Sequence, residues 1–258
     1  MRISKLDELI KKYCPKGVLF EKLGNIGVFY GGLTGKTKSD FIDGDAKFIT
    51  YMNVFSNIKV DININNFVKI AKNEIQNKVE VGDILFTGSS ETSEECGMSS
   101  VLTKQPKETL YLNSFCFGFR FNDKKLFLPN FSKYLFRSDE IRKQIVKTAS
   151  GVTRFNISKK RFSEISIPIP PLEVQQEIVN ILDQFTQLEA ELEAELEAEL
   201  EARKKQYEYY LNDLLSFKDK TRQIKWVTLG EIIITLKTGL NPRKNFILNT
   251  EDANNYYI

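Results

Sequence analysis

After Pro171 the chain carries no glycine and no proline until Gly230. This constrains the fold more than any other feature, because a long stretch without breakers and with regular apolar spacing has the helix as its regular structure. Apolar residues fall at Val174, Ile178, Ile181, Phe185, Leu188 and Leu192, and the 4-3-4-3-4 spacing makes a heptad seam. The period then changes. Leu188, Leu192, Leu196 and Leu200 recur every four residues in a Leu-Glu-Ala-Glu repeat, with Arg203 in place of the last glutamate. Spacings of four and three resume through Tyr207, Leu211 and Leu214. The pattern predicts one helix from Pro171 to Phe217, with Pro171 at the first position, where its missing N–H costs nothing. At ~1.5 Å per residue such a helix is about 70 Å long.

Each step of four residues advances about 400°, so the leucines form a stripe that drifts by ~40° per repeat. Glutamates flank the stripe and alanines lie opposite it. Runs of this spacing locally unwind a left-handed supercoil. Seven glutamates from Glu189 to Glu201 repel one another along an isolated helix, and a bare apolar seam of this length lowers solubility. A partner helix over the seam is the expectation. The alternative is a solvated single helix or a low-complexity linker.

Residues 1–170 read as a mixed α+β domain. Strand-like runs are Ile26–Tyr30, Phe48–Tyr51, Ile84–Thr87, Ser114–Phe121 and Ile165–Ile169, separated by turns such as Gly31-Gly32, Asp43-Gly44 and Gly82-Asp83. Within Ser114–Phe121 the phenylalanines at 115, 117, 119 and 121 share one face of a half-buried strand. They form either core or a base-stacking platform, and core is the more common fate of such a stripe. Asn130–Thr148 reads as a helix that stops at Ser150-Gly151. Residues 218–258 read as a linker followed by the start of a second copy of the first domain. Leu23-Gly-x-Ile26 matches Leu229-Gly-x-Ile232, Gly32-Leu33 matches Gly239-Leu240, and Asp45-Ala-Lys-Phe-Ile49 echoes Asp252–Ile258. A fragment this short rarely folds alone, so the chain reads as cut short.

The formal net charge of +3 hides an asymmetry. Residues 1–171 hold 27 basic and 18 acidic side chains, and residues 172–258 hold 10 and 16. A basic domain followed by an acidic segment implies two parts with different partners, nucleic acid among them. The chain contains no histidine, which removes Ser-His-Asp and Cys-His catalysis and His-ligated metals. Cys14, Cys96 and Cys116 are widely spaced, so no disulfide framework or zinc site is expected and a reducing cytoplasm fits. The longest mostly aliphatic run, Ile232–Leu236, is far too short to span a membrane, and the N-terminus lacks the apolar core of a secretory signal. Gly31-Gly-Leu-Thr-Gly35-Lys36-Thr37 approaches a phosphate-binding loop. It has Tyr30 where the first glycine belongs, and the following Lys38–Gly44 reads as a turn rather than a helix. Asp45-x-Lys47 and Asp123-x-Lys125 are fragments of a nuclease-like pattern without an evident carboxylate partner. No catalytic or metal-binding residue is expected.

The segment from Ser150-Gly-Val-Thr-Arg-Phe through Ile167-Pro-Ile-Pro-Pro171 to Ile181-Leu182 resembles the specificity subunits of type I restriction-modification systems. Val81-Gly-Asp-Ile-Leu-Phe-Thr87 resembles a second family signature, and a tetrapeptide repeat within the central helix is a third. The resemblance implies a target recognition domain (1–170) with a curved, mainly antiparallel sheet and flanking helices, followed by a long coiled-coil-type spacer helix (171–217). It implies a non-catalytic subunit that binds double-stranded DNA and docks methyltransferase and restriction subunits. S-adenosylmethionine, ATP and Mg²⁺ are then expected in those partners and not in this chain. A complete family member has two recognition domains and two antiparallel helices. One domain and one helix imply a homodimer through antiparallel helices, reading a bipartite and palindromic target. The seam residues Val174 to Leu214 are the expected dimerisation and spacer positions. Candidates for phosphate contacts are Lys36, Lys38, Arg154, Lys159 and Lys160. Candidates for base reading are Thr50, Asn53, Ser89, Ser90 and Thr92. The competing reading is a coiled-coil adaptor with a protein-binding N-terminal domain.

Overall fold

A capping box opens the first helix: Ser4 Oγ accepts from the Asp7 backbone N–H at 3.2 Å, and the Asp7 carboxylate accepts from the Ser4 N–H at 3.2 Å. The structure is a computed structural model and describes residues 4–217 and 225–236. The elements run α1 (Lys5–Tyr13), β1 (Leu19–Lys22), α2 (Leu23–Ile26), β2 (Gly27–Gly31), a 3-10 turn (Lys38–Phe41), β3 (Ala46–Ile49) and α3 (Tyr51–Ser56). Short strands follow: β4 (Phe67–Val68), β5 (Lys78–Val79), β6 (Ile84–Thr87), β7 (Ser89–Ser90), β8 (Ser99–Val101), β9 (Leu110–Leu112) and β10 (Cys116–Phe121). Then come α4 (Pro129–Leu135), α5 (Asp139–Thr148), β11 (Ala149–Ser150), β12 (Phe155–Ile157), α6 (Lys159–Phe162), β13 (Ser166–Ile169), α7 (Leu172–Ser216) and α8 (Leu229–Ile232).

The strands form four small sheets, ordered β1-β13, β2-β10-β6-β8, β11-β12-β7 and β4-β3-β9-β5. Every pairing between them is antiparallel except β3 with β9. The α+β class with mainly antiparallel sheets is thus the one expected. By its internal contacts the chain divides inside α7 into two units, Met1–Leu192 and Glu193–Ile258.

β10 organises the first unit. Phe117, Phe119 and Phe121 are buried on one face with Phe86, Phe136 and Phe162, as an apolar stripe on a strand dictates. Phe115, expected to share that face, lies just before the strand and is 59% exposed. The opposite face is also covered, because Cys116 packs into a second core with Ile49, Leu85 and Leu112. The strand is therefore buried on both sides rather than half-buried.

That second face explains the Val81–Thr87 signature. Gly82 adopts φ +92°, which favours glycine, and turns the chain into β6. The Asp83 carboxylate, 1% exposed, accepts four bonds. They come from Arg120 Nε (2.8 Å), Arg120 Nη2 (2.7 Å), the Tyr30 hydroxyl (2.6 Å) and the Glu80 backbone N–H (2.8 Å). Arg120 also pairs with Glu80 at 2.7 Å. The Tyr30 ring crosses Gly118 to reach Asp83. A Cβ at Gly118 would stand 2.0 Å from the ring, so only glycine fits there. Burial is the main cause that holds the Tyr30 hydroxyl protonated far above its ordinary range.

The helix expected over 130–148 is broken into α4 and α5. Phe136 is fully buried, Ser138 is extended at φ −65°, ψ 148°, and its Oγ donates to the Leu135 carbonyl at 2.7 Å. Asp139 and Glu140 then occupy the first turn of α5, where the helix dipole favours acids. The segment after Gly35-Lys36 is a four-residue 3-10 turn closed by Thr37 and Asp40, not the α-helix of a phosphate cradle.

α7 fulfils the sequence expectation to within a residue at each end. Its first turns belong to the first unit. Val174, Gln175 and Val179 are buried, and the Gln175 amide donates to the Leu126 and Pro170 carbonyls (3.0 and 2.8 Å) while accepting from the Leu128 N–H (2.9 Å). Lys133 pairs with Asp183 at 2.8 Å. Val174 is thus consumed inside the chain, and Ile178 and Ile181 are half-buried. The list of seam positions open to a partner is corrected accordingly: it begins at Phe185. From there Phe185, Leu188, Leu192, Leu196, Leu200, Tyr207, Leu211 and Leu214 are exposed. In the second unit, Glu199–Arg203 (3.3 Å) and Glu201–Lys205 (2.7 Å) pair one turn apart and relieve part of the glutamate repulsion. Leu229–Ile232 forms the same four-residue helical turn as its sequence match Leu23–Ile26. The other repeat matches, at Gly239-Leu240 and Asp252–Ile258, lie outside the described residues.

Candidate nucleic-acid interface

Three segments meet in a groove of about 420 Å³ lined by Tyr51, Met52, Phe55, Ser89, Ser90, Glu91, Glu95, Thr153 and Arg154. α3 supplies one wall. Its start is fixed by Thr50, whose Oγ1 accepts from the Asn53 N–H at 3.2 Å. Asn53 is also occupied: its Nδ2 donates to the Asp61 carbonyl (2.8 Å) and its Oδ1 accepts from the Asp61 N–H (3.1 Å). Both residues, expected to read bases, thus hold the wall in place.

β7 forms the floor. Ser89 and Ser90 are nearly buried and pair with Asn156 and Phe155 of β12. The Tyr51 hydroxyl donates to the Ser89 carbonyl at 2.8 Å, tying wall to floor. Ser90 Oγ and Thr92 Oγ1 donate to Glu95 at 3.2 and 3.0 Å, which closes the loop after β7. The turn between β11 and β12 forms the other wall and carries Arg154. Its Nε donates to Ser89 Oγ at 3.0 Å, and its guanidinium carbon lies 5.7 Å from the Phe115 ring centroid.

Behind the groove stand two arginines without a carboxylate partner among the described residues. Arg137 donates to the carbonyls of Ser99, Phe55 and, more distantly, Val54 and Asn57, so it caps the C-terminal end of α3. Arg142 donates to the carbonyls of Glu94, Cys96 and Gly97 and braces the loop after β7. Burial pushes Arg137 down to about 10 and lowers Arg142 as well.

Of the ten expected DNA contacts, Ser89, Ser90 and Arg154 line the groove, with Thr92 in the adjoining loop. Lys159 and Lys160 lie on α6, exposed, with Lys159 Nζ 5.6 Å from the Phe117 ring centroid. Lys38 is exposed in the 3-10 turn. Lys36 does not stand free as expected. Its side chain is 8% exposed, and its Nζ donates to Glu74 (2.5 Å) and the Lys69 carbonyl (2.6 Å). The sequence reading missed Tyr51, Met52, Phe55, Glu91, Glu95 and Thr153, and it weighed Phe115 only as part of a stripe that is either core or a base-stacking platform. Met52 and Phe115 are each 59% exposed, which apolar character alone does not announce.

The family model described as the type I restriction modification DNA specificity domain matches residues 15–202, from just after α1 to well along α7. The chain belongs to this family. A putative type I specificity subunit of Mycoplasma pneumoniae is 33% identical over 186 residues, covering 69% of this chain and 48% of that protein. The EcoR124I/EcoR124II specificity subunit of Escherichia coli is 51% identical over 78 residues, 28% of this chain and 18% of its own. The chain thus spans about half or less of the length of these curated relatives. A solved structure concerned with complex assembly and conformational transition of the type I R-M system contains a chain with the same fold. The match has a TM-score of 0.53 at 22% identity and covers 77% of this chain and 45% of that one. Among the described residues, no helix is long and apolar enough to cross a membrane, and no three potential ligands cluster to hold a metal.

Proposed function

We propose that this chain is the DNA-reading subunit of a type I restriction-modification assembly and performs no chemistry itself. The observation that carries this reading is the family match, which takes in every element of the groove. The excess of basic over acidic residues in 1–171 supports it, because neutralising phosphates supplies most of the non-specific affinity for duplex. The first unit engages one half-site through the groove, with Lys159 and Lys160 as phosphate contacts. Methyltransferase subunits, and restriction subunits through them, dock on this chain and hold S-adenosylmethionine, ATP and Mg²⁺.

The exposed seam from Phe185 to Leu214 supports pairing with a second copy, antiparallel, so that two reading domains address a bipartite and palindromic target. The test is binding of the chain to random duplex between 50 and 200 mM salt. The reading requires affinity that falls steeply, by several powers of the salt ratio. Salt-independent behaviour would instead favour a protein-binding adaptor. Light scattering at micromolar concentration should give a dimer; a stable monomer would remove the paired-helix part.

A further inference from the structure

Arg154 entered as a candidate phosphate contact, yet its surroundings are those of a base reader. Arg154 is exposed, and a side chain that reads a base edge must hold its donors at a fixed angle. Arg154 is held twice. Ser89 Oγ accepts from its Nε at 3.0 Å, and the Phe115 ring lies 5.7 Å beneath its guanidinium. Ser89 is itself only 6% exposed and sits in a three-stranded sheet, so the anchor is rigid. No acceptor among the described residues takes either Nη group, which leaves a planar fork at the groove mouth. Glu91 and Glu95 line the same groove. Two carboxylates repel a phosphate, but a carboxylate accepts readily from the amino group of a cytosine.

We infer that Arg154 reads guanine, donating from both Nη groups to O6 and N7 of a G·C pair in the major groove, with Ser89 and Phe115 as positioning residues. This rests on the DNA-reading function proposed above and assigns one position of the target to one side chain. An Arg fork on O6 and N7 is the commonest specific contact between proteins and DNA. Glu95 is held by Ser90 and Thr92, which leaves Glu91 as the carboxylate in the same groove that can accept from the N4 amino group of the paired cytosine.

The test is selection of duplexes from a randomised library by the full chain, comparing wild type with Arg154→Ala, Arg154→Lys, Ser89→Ala and Lys160→Ala. Wild type should enrich a motif containing an invariant guanine. Arg154→Ala should lower discrimination at that guanine on the order of 10- to 100-fold while the other positions keep theirs. Arg154→Lys keeps the charge but not the fork, and should lose most of the same discrimination. Ser89→Ala should relax the same position partly. Lys160→Ala should weaken all sequences alike and reduce the salt slope by about one. The inference is overturned if Arg154→Ala behaves as Lys160→Ala does, or if Arg154→Lys restores full discrimination. A wild-type chain that binds no duplex refutes the proposed function itself, a result distinct from both.

Discussion

Asp83 offers the sharpest quantitative check on the structure. Replacing it with alanine removes one carboxylate and strands four donors, of which two belong to Arg120 and one each to Tyr30 and Glu80. Breaking a buried pair from one side costs ~3–5 kcal/mol, because the remaining charge loses its compensation in a place water reaches poorly. Arg120 keeps 27% of its side chain exposed and retains Glu80 as a partner, so the low end, about 3 kcal/mol, applies. For a unit of this size about 1 kcal/mol shifts the melting temperature by roughly 2–4 °C, giving a fall of roughly 6–12 °C. Thermal unfolding of the chain followed by circular dichroism measures it. Adding Arg120→Met removes the stranded cation, so the double variant should be more stable than the two single losses predict, by about 1–2 kcal/mol. A drop under ~2 °C for Asp83→Ala, or strict additivity in the double variant, would refute this account of the signature.

Deleting one repeat, Leu192–Glu195, shortens α7 by about 6 Å. On the paired-helix reading proposed above, at 3.4 Å per base pair this should shorten the gap between half-sites by about two base pairs and leave their sequences unchanged; methylation mapping in cells that also carry the proposed methyltransferase partner reads it. Leu196→Lys with Leu200→Lys should abolish dimerisation in light scattering while circular dichroism shows the first unit still folded. Lys36, Gln76 and the Ala71 N–H, in that order, hold the Glu74 carboxyl down at about 2, below its ordinary 4.5. Its stabilising contribution is therefore complete above pH ~4.5 and lost as pH falls toward 2. The melting difference between wild type and Glu74→Gln should shrink over that window, and a constant difference would contradict the pairing.

Where the pattern is long or strongly periodic, local sequence matched the structure. α7 needed nothing beyond its seam, and β6 was placed over Ile84–Thr87 as found. Strands of two or three residues such as β4, β5 and β7 are too short to show a period, and their pairing partners lie far along the chain. The break between α4 and α5 was masked because Phe136 continues the helical apolar spacing. Ser138-Asp139-Glu140 was the signal, a cap followed by acids, and the uninterrupted pattern outweighed it. In the groove, the small hydroxyl residues were legible as polar loop positions. Tyr51 and Phe55 were not, because an aromatic residue in an apolar run reads as core until the groove it lines is seen. Lys36 looked free because its partner Glu74 lies 38 residues away.

Arg137 and Arg142 grip main-chain carbonyls, groups that every amino acid carries. The loops they brace can therefore exchange their outward side chains without loosening their hold on the scaffold. Under the DNA-reading function proposed above, outward side chains such as Met52 and Glu91 can change target preference by single codon substitutions while the framework beneath stays as it is.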